Sequence, residues 1–194
     1  MRNALRRTII IGIGAFFLAI LASLASQVLI KKITSIVLGF VLLLVIILVG
    51  ILFDIIGIAA ATADEVPLHS RSAKKVFGAV QAIRLVRDAD QVSSFCNDVV
   101  GDVSGTLSGA IGAALIFRIL SDPSETTLVL AGTIMTALIA ALTVGGKAFG
   151  KTFAIQKGTE IIFRVGQVLA WLELRLHFKL FNGSNGDAKK GRRK

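Results

Sequence analysis

Asp98 and Asp102 stand four residues apart in the stretch CNDVVGDVSGTLSGAIG, residues 96–112, whose other residues are apolar or small enough to lie within a bilayer. On a helix this spacing puts both carboxylates on one face, and Gly105 and Gly109 continue that face one and two turns further on. Ionisable groups at membrane depth cost roughly 2.5–3.5 kcal/mol each on insertion scales, and they persist where they meet a bundle interior, a counter-charge or an ion path. Two chemistries follow. In the first, Asp98 and Asp102 bind a hard divalent cation, Mg2+ first, with Asn97 and Ser94 as auxiliary oxygens, because magnesium takes oxygen ligands and often uses only one or two carboxylates. In the second, the carboxylates neutralise Lys147 or Lys151, and the pairing is purely structural. Asp54, in the inner half of an earlier apolar run, is a third candidate of the same kind.

These residues need membrane-spanning helices to hold them. The chain of 194 residues is 54% apolar and has no Tyr, more hydrophobic surface than one soluble core of this size can hide. Thr8 to Ile30, Ile33 to Phe53 and Thr126 to Gly146 are long enough to cross a bilayer, apart from the two lysines at 31 and 32 that separate the first two. Gln91 to Phe117 is a fourth such run, interrupted only by Asp98 and Asp102. The expectation is four transmembrane helices. The opening also carries the basic start and apolar run of a signal peptide, with small residues near Ala25, but the run is long for one and is expected to remain as a span.

The net charge of +10 does not point to nucleic acid, because the bases flank the apolar runs instead of gathering on a soluble domain. Arg2, Arg6 and Arg7, the five Lys or Arg between His69 and Arg87, and the cluster from Lys147 onward all fall on one side of a four-span topology. Both termini are therefore expected in the cytoplasm of a cell-membrane protein, with only the Lys31–Lys32 and Ser121–Glu125 hairpins outside. Between the second and third runs, Asp64, Glu65 and Pro67 signal a helix start. From Pro67 to Asp88 apolar positions recur at helical spacing among basic residues, an amphipathic juxtamembrane belt. After Gly146, Ile161, Ile162, Val165, Val168, Leu169, Leu172 and Leu176 read as an interfacial helix anchored by Trp171, although residues 171–180 also alternate like a strand. The tail from Asn182 is polar, glycine-rich and expected to be disordered.

Gly101, Gly105 and Gly109 repeat as GxxxGxxxG, with Ser104, Ser108 and Gly112 as a second small ladder beside them, a pattern that lets helices approach closely within the bundle or across a dimer. Enzymatic chemistry finds no support. His69 and His177 lack metal-ligand spacing, and no nucleophile elbow, phosphate loop or CxxC occurs. Cys96, the single cysteine, reads as a small buried hydrophobe.

In this order of elements, the region from Val41 to about Leu176 resembles the transmembrane domain of the CNNM/CorB/CorC family of magnesium transporters and efflux proteins. The belt ADEVPLHSRSAKKVFGAVQAIRL resembles the family's acidic-then-basic helical belt, CNDVVGDVSG its Asn-containing signature, and TVGGKAFGK its Glu-x-x-Pro-Lys-like return. The resemblance implies a homodimer, and it implies that the family's paired polar positions fall on Asp98 and Asp102. Its acidic residue falls on Lys147 and its proline on Gly150, and the family's usual CBS pair is missing. The division that follows is an extra helix over 1–32, a CNNM/CorC-like domain over 33–181 and a basic tail over 182–194. The function expected is divalent-cation transport or efflux. The alternative is a non-transporting scaffold or regulator whose intramembrane carboxylates are paired with Lys147.

Overall fold

A computed structural model of the chain describes residues 2–32, 35–120 and 123–176, and the described residues form helices and no strands. In chain order these are α1 (Arg2–Lys32), α2 (Ile36–Thr62), α3 (Glu65–Ala73), α4 (Ala79–Arg87), α5 (Ala89–Ser94), a π-helical segment (Phe95–Gly101), α6 (Asp102–Ile119) and α7 (Glu125–Leu176). Three stretches are long and apolar enough to cross a membrane: Ile36–Thr62, Ala89–Ile119 and Glu125–Arg175. Within α1 a shorter apolar stretch runs over Gly12–Leu24. The tail from 177 onward, with His177, and residues 33–34 and 121–122 at the two hairpins expected outside lie beyond the described residues, while Lys31 and Lys32 close α1.

Small residues set the directions of the three long helices. Gly39, Gly50 and Gly57 of α2 pack in turn against Leu115, Ser104 and Asn97, so α2 runs antiparallel to the π segment and α6. Gly146, Gly150 and Gly158 of α7 pack against Ile51, Ile55 and the Ala59–Thr62 turn, so α7 runs parallel to α2. A methyl group at Gly112 would strike Ile139, which fixes α6 antiparallel to α7. Close backbone approach of this kind is the main packing device available between helices in lipid. Leu43, Ile47, Ile111, Leu115 and Ile139 form the apolar core at one end of this trio, while large side chains such as Leu44, Leu48, Val129 and Leu138 point outward.

The glycine ladder expected to pack is only partly the one that does. Gly101 is buried, but a side chain at Gly105 or Gly109 would meet nothing within 4 Å. Ser104, Ser108 and Gly112, the neighbouring ladder, are the buried ones. They lie in line with Ile111 and Leu115, and that apolar continuation decides which of two small-residue stripes turns inward.

The belt is two helices instead of one. α3 begins where Asp64, Glu65 and Pro67 predict, and the Asp64 carboxylate accepts a hydrogen bond from the Val66 N–H at 3.0 Å as its N-cap. The chain then breaks at residues 74–78, with Lys75 at φ 55° and Gly78 at φ 82°. Gly78 abuts the Gln167 backbone of α7, so its missing side chain serves both the left-handed turn and the close approach. Leu68, Ala79, Ala82, Ile83 and Leu85 pack with Ala154, Ile162 and Phe163 into a second core. Val76, Phe77 and Val80, which share the predicted apolar pattern, remain exposed.

The break between the fourth apolar stretch and the amphipathic helix expected after it falls at Lys157, not at Gly146. α7 spans 52 residues as two helices joined across a kink. Its one non-helical residue is Lys157, at φ −121° and ψ 20°. Gly146 and Gly150 pack on α2, and the helix passes through both positions unbroken.

Candidate functional site

The polar residues of the three long helices meet in a seam between α2, the π segment and α7. Lys147 sits on the face of α7 that carries Gly146 and Gly150 towards α2, and its Nζ lies 3.5 Å from Oδ1 of Asp54. Both side chains are largely enclosed, 13% exposed for Asp54 and 29% for Lys147. Across the seam, a methyl group on Gly101 would stand 3.4 Å from the Lys147 ammonium, an ordinary contact distance, so Gly101 borders the lysine.

Asn97 lies in the π segment, where one extra residue per turn changes which side chains point inward. It packs against Gly57, three residues from Asp54 on α2. Its Nδ2 donates to Ser93 Oγ at 3.2 Å, while its Oδ1 is buried and accepts no hydrogen bond. Thr143, one turn before Lys147 on α7, likewise has a buried hydroxyl without a partner. The seam thus holds one ion pair and two oxygens with unused lone pairs in a setting where unmet polar groups are costly. Below it on α6, the Ser108 hydroxyl is satisfied by donating to the Ser104 carbonyl at 2.8 Å.

Asp98 and Asp102 do not join this cluster. Both are exposed, on the same outward face as Gly105 and Gly109, so the face predicted from their spacing exists but turns away from α2 and α7. The pair four residues apart that does face the seam is Asn97 and Gly101, one position earlier. Lys147 correspondingly pairs with Asp54, not with Asp98 or Asp102. Ser94, just before the π segment, is half-buried. Among the described residues no three His, Cys, Asp or Glu side chains gather as a metal-binding group. Thr143 and Gly57 were missed by sequence reasoning; the signal for Thr143 was its place one turn from Lys147. Cys96 is buried, as expected.

A second set of polar contacts ties the belt to α7 beyond its kink. Arg71 bonds Glu160 at 2.9 Å and lies 4.2 Å over the Phe163 ring. Thr159 Oγ1 accepts the Asp64 N–H at 3.0 Å, and Gln81 donates to Glu173 at 2.9 Å. Glu65 accepts from Arg87 at 2.6 Å and contacts His69 at 3.0 Å. Its hydrogen bond to Arg87, supported by His69, lowers its pKa from the ordinary carboxylate value despite the cost of desolvation.

The arrangement holds a cation in place against a carboxylate, with spare oxygens beside it, and that cation is the chain's own lysine. Comparison with protein-family models, with curated proteins and with solved structures returns no match.

Proposed function

We propose that the chain is a four-span membrane protein, α1 supplying the first span, with the α3–α4 belt and both termini cytoplasmic. In this reading its polar seam is a self-contained charge pair and the protein is a non-transporting membrane scaffold or regulator. The observation that carries the reading is the Lys147 ammonium 3.5 Å from Asp54, with both side chains largely enclosed beside Gly101. A buried pair of this kind holds helices in register, and breaking it by removing one partner leaves an uncompensated charge. The resemblance to the CNNM/CorB/CorC transmembrane domain puts its paired polar positions on Asp98 and Asp102 and its acidic residue on Lys147, and in this reading the lysine takes the place of the transported ion. The homodimer is part of the same reading.

A second reading, divalent-cation transport with Mg2+ as the substrate, is favoured by the buried, unpartnered Oδ1 of Asn97 and Oγ1 of Thr143. Together with Asp54 they are hard oxygen donors of the sort magnesium takes, provided that Lys147 withdraws. Asp98, Asp102 and Ser94 would then serve an approach path from the exposed face.

Thermal unfolding of the purified protein in detergent across Mg2+ concentrations tests the choice. The scaffold reading predicts no shift. A saturable rise following RT ln(1 + [L]/Kd), abolished by Asp54→Asn or Asn97→Ala, would replace it with the transport reading.

A further inference from the structure

The α3–α4 connection and the distal part of α7 carry a feature that the seam does not explain. Lys74 and Lys75 are exposed, and next to them Phe77 and Val80 expose nearly half their surface, 49% and 47%. The left-handed backbone at Lys75 and Gly78 brackets this apolar tip. Gly78 packs on Gln167, one residue before Val168 and four before Trp171, which are 58% and 50% exposed. Arg175 lies 5.1 Å over the Trp171 ring, so cationic and aromatic groups share the surface there too.

The distance from the membrane is limited by the chain. α3 starts three residues after α2 ends and α5 starts two residues after α4 ends. Each belt helix has nine residues, about 14 Å of rise, so the tip stays close to the inner ends of two membrane-length apolar stretches. Exposed apolar side chains interleaved with lysines at that height match the chemistry of an anionic headgroup layer: the apolar groups enter the acyl boundary while the ammonium groups meet phosphate.

We propose that this surface, Lys74, Lys75, Phe77, Val80, Val168 and Trp171, docks on the anionic leaflet of the host membrane and prefers acidic phospholipid there. The inference rests on the membrane reading above.

The test uses the full chain in lipid nanodiscs and its single tryptophan. Acyl chains brominated near the headgroup are expected to quench Trp171, and also a tryptophan placed by Phe77→Trp in a Trp171→Phe background. Brominated phosphatidylglycerol is expected to be preferred over brominated phosphatidylcholine by roughly fivefold or more, the effect of one or two lysines near a charged surface. Lys74→Gln with Lys75→Gln, both exposed and without packing roles, should remove that preference. Equal quenching by the two lipids would overturn the anionic specificity. A control tryptophan at exposed Phe117 of α6 separates the two readings: quenching there with none at 77 or 171 refutes the docking surface alone, whereas no quenching at any of the three refutes the membrane reading and this proposal together.

Discussion

Lys147 and Asp54 face each other across the α2–α7 interface at 3.5 Å, the lysine held over a glycine on the third helix of the seam. A lysine in this position does what a bound cation would do for the carboxylate, without needing one from solution.

The two small-residue ladders on α6 should respond oppositely to substitution. Gly112→Leu and Gly50→Val introduce atoms where Ile139 and Ser104 already stand, and each is expected to cost about 1–3 kcal/mol by overpacking. Gly105→Ala and Gly109→Ala, with open space around both, should be neutral or gain up to about 1 kcal/mol from helix propensity. Thermal unfolding in a single detergent compares all four. Equal losses in both ladders would show that the outward face is packed in the working assembly.

The belt turn makes a paired prediction. Lys75→Gly relieves a left-handed backbone and should stabilise by up to about 1–2 kcal/mol. Gly78→Ala should destabilise by more than that strain alone, since its methyl group would also meet the Gln167 backbone. Both are read from unfolding midpoints.

Acid should loosen the belt through Glu65. Because Arg87 and His69 depress its folded-state pKa, the stability it contributes is present above the unfolded value and is lost as pH falls through the depressed one. Glu65→Gln is therefore expected to lower the midpoint at neutral pH and to flatten its acid dependence. An unchanged slope between neutral pH and about pH 3 would remove Glu65 from the account.

The unpartnered oxygens distinguish the two functional readings. If Thr143 faces a permanent ion pair, Thr143→Val removes a buried, unsatisfied hydroxyl and should be neutral or stabilising by about 1 kcal/mol. Loss of a Mg2+-dependent stabilisation in the same variant would instead mark that oxygen as a ligand.

The helical class and the membrane-length apolar stretches were legible in the sequence because long uncharged runs leave few alternatives. The start of α3 was legible because Asp64, Glu65 and Pro67 state it chemically. The place of the break in α7 was not: the charge-free run stops at Gly146, but the helix carries on to Lys157, with Gly146 and Gly150 packed on Ile51 and Ile55 of α2. The polar groups within the long apolar helices were found by type, but their partners were not. Helical spacing put Asp98 with Asp102 correctly on one face, yet which face turns inward depends on Ile111 and Leu115 meeting α2 and α7 and on the π turn at Phe95–Gly101, whose extra residue no 3.6-residue pattern reveals. Asp54 was noted and Lys147 was noted, but nothing local in the chain links residues so far apart.

The most direct test of the central claim is a double-mutant cycle on Asp54 and Lys147, read by thermal unfolding in metal-free detergent solution. The account predicts that Lys147→Met and Asp54→Asn each destabilise, by up to about 3–5 kcal/mol where a partner charge is left buried, and that the double variant recovers most of the loss. Additive single effects, or a Lys147→Met variant as stable as the parent, would contradict it.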